Sequence, residues 1–216
     1  MKRLLTCLAV ILLSACASTP PKFAFADLGK SESVKVEDLR PAEESVRHGF
    51  SFLITSDSYG IFRQGRVNSD PSALRMLQHR VYEHFPNVSP IDVMVYHLVV
   101  YENMQHTFRV GALGAVFGAV GAGIASSTVK NEFGGSAAVV DPTVFNETVG
   151  DDEWKRGICT QQENPDNGSS FITWLDVEIN GKRVFVRGVS PQKVPDGQSP
   201  YVVALESAYG FLLKQY

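Results

Sequence analysis

Between Arg109 and Lys130 lie twenty consecutive residues without a charge, VGALGAVFGAVGAGIASSTV. No other feature of the chain restricts its fold as strongly. As an α-helix the stretch would be about 30 Å long, the hydrocarbon thickness of a bilayer. Placed at 100° steps, Gly111, Gly114, Ala115, Gly118, Gly121, Ala122 and Ala125 fall within an arc of roughly 120°, while Val110, Leu113, Val116, Phe117, Val120 and Ile124 occupy an opposite arc of similar width. Strand alternation does not sort the two groups. Glycine in a helix interior costs about 1 kcal/mol relative to alanine, so the glycines here cost roughly 5 kcal/mol in total. Such a helix does not stand alone in water and needs lipid or close partners. Its large apolar residues contribute only about -2 to -4 kcal/mol towards insertion, so a single copy inserts marginally and association through the small face assists it.

Gly114-x-x-x-Gly118 has the spacing that lets helices approach closely in lipid. The segment resembles the glycine zippers of membrane-associated proteins. The resemblance implies membrane contact or oligomerisation through Gly111, Gly114, Gly118, Gly121 and Ala122, with Phe117 on the bulky side. Two other arrangements also satisfy the pattern: a helix or helical hairpin buried in a soluble fold, and a Gly/Ala loop. The first is the expectation adopted for 110–129.

The N-terminus reads as an address. Met1–Lys2–Arg3 is basic, and Leu4 to Leu13 is an apolar run of ten residues broken only by Thr6. The run is too short to span a bilayer as a helix and fits a secretory signal peptide. It leads into Leu13–Ser14–Ala15–Cys16, followed by Ala17. Residues 1–17 resemble the signal and lipobox of bacterial lipoproteins. The resemblance implies cleavage before Cys16, diacylation of its thiol and acylation of the new amino terminus. Each buried methylene of such a chain contributes about 0.8 kcal/mol of membrane binding, and two or three chains hold a protein firmly. By the same resemblance, a residue other than Asp after the cysteine, here Ala17, is compatible with export to the outer membrane, facing the periplasm.

This divides the chain into a signal peptide (1–15), a lipidated tether (16–31) stiffened by Pro20–Pro21, and a single domain (32–216). After processing, Cys7 is gone and Cys16 carries lipid. Cys159 is then the one thiol of the body, excluding an intramolecular disulfide, and burial is its expected state. With 20 basic and 23 acidic residues the net charge is -3, which lacks the basic footprint of a general nucleic-acid binder. An apolar content of 44% with 20% charged residues excludes wholesale disorder.

Within the body, Ser33 to Leu39 alternates Val34 and Val36 with Lys35 and Glu37, a half-buried strand. Phe50 to Thr55 and Tyr59 to Gln64 flank Ser56–Asp57–Ser58 as a hairpin. Ser69 or Asp70 caps a helix with Pro71 in its first turn. Leu74, Leu77, Val81 and Phe85 form its apolar stripe, Arg75, Gln78, His79 and Glu83 its wet side, and Pro86 its end. Ile91 to Tyr101 reads as a central strand. Ile91, Val93, Val95, His97, Val99 and Tyr101 share one face, and Met94, Tyr96, Leu98 and Val100 the other. Residues 131–170 have little periodicity and read as a long loop. Phe171 to Ile179 and Lys182 to Arg187 flank Asn180–Gly181, a strong hairpin signal. Ser199–Pro200 opens a last helix with Tyr201 or Val202, Leu205, Ala208, Tyr209 and Leu212 on its apolar side. The order predicts an α+β fold, a mostly antiparallel sheet with two helices on one face, plus the Gly/Ala-rich helical segment.

Catalytic signals are weak. His79 and Glu83 are spaced to share a helix face, but two ligands do not make a metal site. His97 reads as a satisfied core histidine. Asp92, Glu102, His84 and His106 have no third partner at readable spacing. The charge cluster Asp151–Asp152–Glu153 and Lys155–Arg156 around Trp154 reads as a solvated turn, with a partner-binding tip as the alternative. No nucleophile elbow, phosphate loop, dinucleotide fingerprint or zinc-protease helix is present. The expectation is therefore a non-enzymatic scaffold or assembly partner in the envelope, without cofactor, metal or nucleic acid. Its expected partners are the membrane, a second copy or another envelope protein. The alternative is a periplasmic module that binds a ligand or protein, with 110–129 buried in its fold.

Overall fold

A computed structural model describes residues 22–49, 60–66, 69–104, 136–143, 170–190 and 198–216. Nine regular elements occur among them: β1 (Lys35–Asp38), β2 (His48–Gly49), β3 (Ile61–Arg63), α1 (Ala73–His84), β4 (Asp92–Asn103), β5 (Ser136–Val139), β6 (Ser170–Ile179), β7 (Lys182–Val189) and α2 (Pro200–Leu213). Short 3₁₀ turns occupy Leu28–Ser33 and Ala42–Ser45. The strands form one sheet in the order β2-β3-β4-β6-β7-β5, with β1 paired parallel to β4 and every other pair antiparallel. Both helices pack on one face, as the α+β pattern predicts.

The frame is β4-β6-β7. Asn180 and Gly181 have φ of 48° and 82°, so the β6–β7 turn is the tight hairpin that Asn-Gly favours. Asn180 also ties the turn to β4, accepting from Asp92 N through Oδ1 at 3.0 Å and donating N–H to Asp92 O at 3.0 Å. Val93, Val95, Leu98 and Val100 of β4, Leu175, Val177 and Ile179 of β6, and Val184 and Val186 of β7 form the core beneath the helices. Ile61, Val99, Tyr101, Ile172, Trp174 and Val189 form a second buried cluster. Cross-strand pairing of Val99 with Trp174 and Tyr101 with Ile172 places it on the opposite face of the sheet.

Several expectations are corrected. The two faces of β4 do not run as uninterrupted alternation predicts. Val95 pairs with Val177 and His97 with Asp176, so Tyr96 is an extra residue and the strand bulges there. Beyond the bulge the phase inverts. Leu98 and Val100 join Val93 and Val95 under the helices, while His97, Val99 and Tyr101 turn to the other face.

The cap of α1 is Ser72, whose hydroxyl accepts from Arg75 N at 3.4 Å, rather than Ser69 or Asp70. Ser69 Oγ instead donates to Pro71 O at 2.9 Å. His79 is only 2% exposed, not on a wet side. The cause is the preceding segment, expected as a tether to residue 31 but bonded to the body from Lys22 onwards. Lys22 and Asp70 pair as an isolated parallel β-bridge in which Phe23 N donates to Asp70 O at 2.7 Å, and Phe25 meets the His79 ring edge-on at 5.7 Å. Phe25 is too apolar to remain in water, and His79 and Arg80 of α1 cover part of its ring. Arg75 and Gln78 complete the attachment by donating to Leu28 O and Val34 O.

The stretch 131–170 is not a loop throughout, because Ser136–Val139 adds to the sheet as β5, with Ala138 opposite Arg187. Four residues, Ser-Ala-Ala-Val, carry too little alternation to announce a strand. Of the hairpin expected around 56–58, the whole first run Phe50 to Thr55 and the turn lie outside the described residues; ahead of them His48 and Gly49 pair antiparallel with Arg63 and Phe62 of the second run.

Candidate functional site

The residues expected to contact lipid or a second copy, Cys16, Gly111, Gly114, Phe117, Gly118, Gly121 and Ala122, lie outside the described residues, as do His106, Trp154 and Cys159. No described helix is long and apolar enough to cross a membrane. The other sequence candidates are scattered. His79 Nε2 lies 3.4 Å from Glu83 Oε1, but no group of three metal-ligating side chains gathers among the described residues. His84 packs edge-on against Phe85 at 4.6 Å, and Asp92 is an exposed partner of Lys35 at 3.6 Å. Glu102 accepts from Gln64 Nε2 at 2.8 Å, and burial raises the pKa of its carboxyl despite the opposing influence of Arg47 and the Gln64 bond.

His97 is bound to a residue that sequence reasoning missed. Along one edge of β4, β1 covers the start and β3 the end, leaving residues 96–100 between them without a neighbouring strand. Leu39 N closes one side of the gap on Val95 O at 2.9 Å, and Gln64 N closes the other on Val100 O at 2.8 Å. Glu44, from the turn Ala42–Ser45, fills the middle. Its Oε2 accepts from Leu98 N at 3.3 Å, and its Oε1 lies 2.5 Å from His97 Nδ1. Across from His97, the fully buried Asp176 receives Arg183 in a two-pronged contact, Nε to Oδ1 at 2.7 Å and Nη2 to Oδ2 at 2.5 Å. The guanidinium lies 3.8 Å above the Tyr96 ring. The bulge thus serves two carboxylates with two cationic or imidazole partners, and the groups satisfy one another.

Among the described residues a separate groove, walled by apolar side chains and rimmed by polar ones, lies on the outer side of the helix layer. Phe23, Ala24 and Phe25 make one wall, Val202 and Val203 of α2 the other, and the enclosed groove measures about 610 Å3. Gln198, Ser199 and Ser207 supply polar rim groups. At its floor Arg80 of α1 binds Glu206 of α2 through both carboxylate oxygens, at 2.6 and 3.0 Å, and reaches Glu83 Oε2 at 2.5 Å. The hydrogen bond to Glu206, and then that to Glu83, raise the pKa of the guanidinium, which also lies 5.3 Å from the Phe25 ring centre. Phe23-x-Phe25 inside a supposed tether was the sequence signal for this groove, since two aromatic residues in a water-exposed linker need a surface to cover them. Comparison with protein families, with curated proteins and with solved structures yields no match.

Proposed function

We propose that this protein is a lipid-anchored lipoprotein held at the periplasmic face of the outer membrane, acting as a non-enzymatic scaffold or assembly partner. The observation that carries the reading is the succession of Lys2–Arg3, a ten-residue apolar run and Leu13–Ser14–Ala15–Cys16. The docked N-terminal segment supports it. Five residues lie between Cys16 and Lys22, and the six fully extended steps span about 20 Å. An anchor at Cys16 therefore keeps the helix-side groove close to the bilayer surface. The uncharged segment 110–129 supplies a second contact, with lipid or with another copy through Gly111, Gly114, Gly118, Gly121 and Ala122. A ligand- or protein-binding module is the second reading. The groove of about 610 Å3 favours it, a volume within the usual range of ligand sites.

Intact mass spectrometry of the mature chain tests the anchor. The expected species begins at Cys16 and carries fatty acyl groups; a different first residue, or no acyl mass, overturns it. Size analysis in detergent separates the two roles. The scaffold forms oligomers that Gly114→Leu and Gly118→Leu dissociate, whereas a binding module with 110–129 buried stays monomeric and tolerates neither change in its fold.

A further inference from the structure

We infer that the sheet face opposite the helices is closed by this chain's own uncharged stretch 110–129, its bulky arc packed on the strands and its glycine arc turned away. The inference goes beyond the proposed role and needs neither the anchor nor a partner. It starts from the burial of the second cluster. Both described helices pack on the other face, and every described strand belongs to the one sheet. Side chains on a sheet face without a second layer stay partly in water, and a tryptophan is too large to be hidden by its neighbours in the same face. Trp174 is nevertheless only 2% exposed and Tyr101 3%, and Ile172 and Val189 beside them are buried. Arg187 approaches the Trp174 ring at 5.5 Å, and Val140 and Phe185 flank the cluster, but these stand beside it rather than over it. The layer that covers it therefore comes from outside the described residues.

Topology and chemistry select 110–129 as that layer. β4 ends at Asn103, and β5 begins at Ser136, which is level with Tyr101 through Val189 and Ile172. The connection thus leaves and returns at the same end of the sheet, beside the cluster. From β4 to β5 it passes β6 and β7, about 15 Å at the usual strand spacing. The arms 105–109 and 130–135 each reach about 15–20 Å when extended, enough to lay a helix about 30 Å long back across the cluster. The cluster is apolar and is bordered by two polar pairs already closed, Glu44 with His97 and Asp176 with Arg183. An apolar arc with no charge to desolvate suits it, and Val110, Leu113, Val116, Phe117, Val120 and Ile124 form one. Residues 144–169 also end beside the cluster, at Ser170, but carry Asp151, Asp152, Glu153, Lys155 and Arg156, whose burial costs far more. Residues 50–59 are held at both ends by β2 and β3, and Trp174 lies on β6, two strands further in. The sheet also gives a glycine-rich helix the partner that it needs in water. Gly111, Gly114, Gly118 and Gly121 are then left on the outer side, available for the contact proposed above.

The test uses the mature chain with Cys16→Ser, without detergent, and with Trp154→Phe, which leaves Trp174 as the only tryptophan. Acrylamide quenching and emission wavelength then report on the cluster. Phe117→Asp is expected to raise the quenching of Trp174 severalfold and to move its emission to longer wavelength, with the circular dichroism of the sheet retained. Ala115→Asp, the same charge on the opposite arc, is expected to change neither reading. A second measurement decides the matter even if Phe117→Asp does not fold. Phe117→p-benzoylphenylalanine, irradiated in the otherwise unchanged chain, is expected to cross-link within the chain to residues 99–101 or 172–174, mapped by mass spectrometry. Cross-links only between chains, only to 50–59 or 144–169, or none at all overturn the inference. Unchanged quenching in a folded Phe117→Asp chain, or an equal effect of Ala115→Asp, overturns it too. Acyl mass reports on the anchor and detergent oligomers on the glycine arc, so either can fail while Trp174 remains shielded, and the shielding can fail while both stand.

Discussion

Glu44 illustrates how a single side chain can complete a sheet. A backbone N–H left unpaired in the interior costs about 1–3 kcal/mol, and Leu98 would carry that cost in the gap between β1 and β3. The Glu44 carboxylate, only 6% exposed, removes it and meets His97 as well. Glu102 shows the opposite balance. Burial raises its carboxyl pKa, so the folded state binds the proton more tightly than the unfolded state. A raised carboxyl pKa penalises folding. The penalty begins as pH rises through the unfolded value, about 4.3, and is complete above the folded value. Glu102→Gln keeps a group able to bond Gln64 and removes the charge. Thermal denaturation is expected to show the variant more stable than wild type at pH 7, with the advantage disappearing below about pH 4. An equal difference at both pH values would show that charge burial is not the cause.

The elements are fitted to one another more tightly than their sequences suggest. Gly188 of β7 faces Ala208 of α2, and a Cβ at 188 would lie 3.1 Å from Ala208 Cβ and 3.6 Å from its Cα. Here glycine serves close approach rather than a turn. Gly188→Val is expected to lift α2 and to destabilise the fold by about 1–3 kcal/mol, measured by urea denaturation, through overpacking. Gly188→Val combined with Ala208→Gly should recover part of the loss, because the smaller partner relieves the contact. The two helices are also joined directly, by Tyr209 OH donating to Ala73 O at 2.8 Å and by the Arg80–Glu206 fork. Burial pushes the Tyr209 hydroxyl pKa well above its ordinary value, so it remains a neutral donor at any ordinary pH.

At the scale of the molecule, the N-terminal segment links the anchor to the helix layer. Phe25 is held between the Arg80 guanidinium at 5.3 Å and the His79 ring at 5.7 Å. Phe25→Ala is expected to free residues 22–27 and cost about 1–2 kcal/mol, the range for a partly buried aromatic with one cation–π contact. Hydrogen exchange should then be faster at Phe23, whose N–H bonds Asp70 O, and unchanged in the centre of α1. Unchanged exchange at Phe23 would show that the β-bridge to Asp70 holds the segment without the Phe25 ring.

What could be read in the chain was what a few neighbouring residues decide together. Asn180–Gly181 demanded a hairpin because both positions take positive φ. Ser199–Pro200 and the apolar spacing behind it marked α2, whose first helical residue is Pro200. The same local rules mistook the buried His79 for a surface residue and carried β4 straight through Tyr96, because neither outcome depends on local spacing. His79 is buried by Phe25, fifty-four positions away, and the bulge is seen only against Asp176, eighty positions on. Periodicity assigns a helix or strand because backbone geometry repeats over a few residues. Which face is covered, where an alternation inverts and which carboxylate meets which cation depend on surfaces that touch only after the chain has folded.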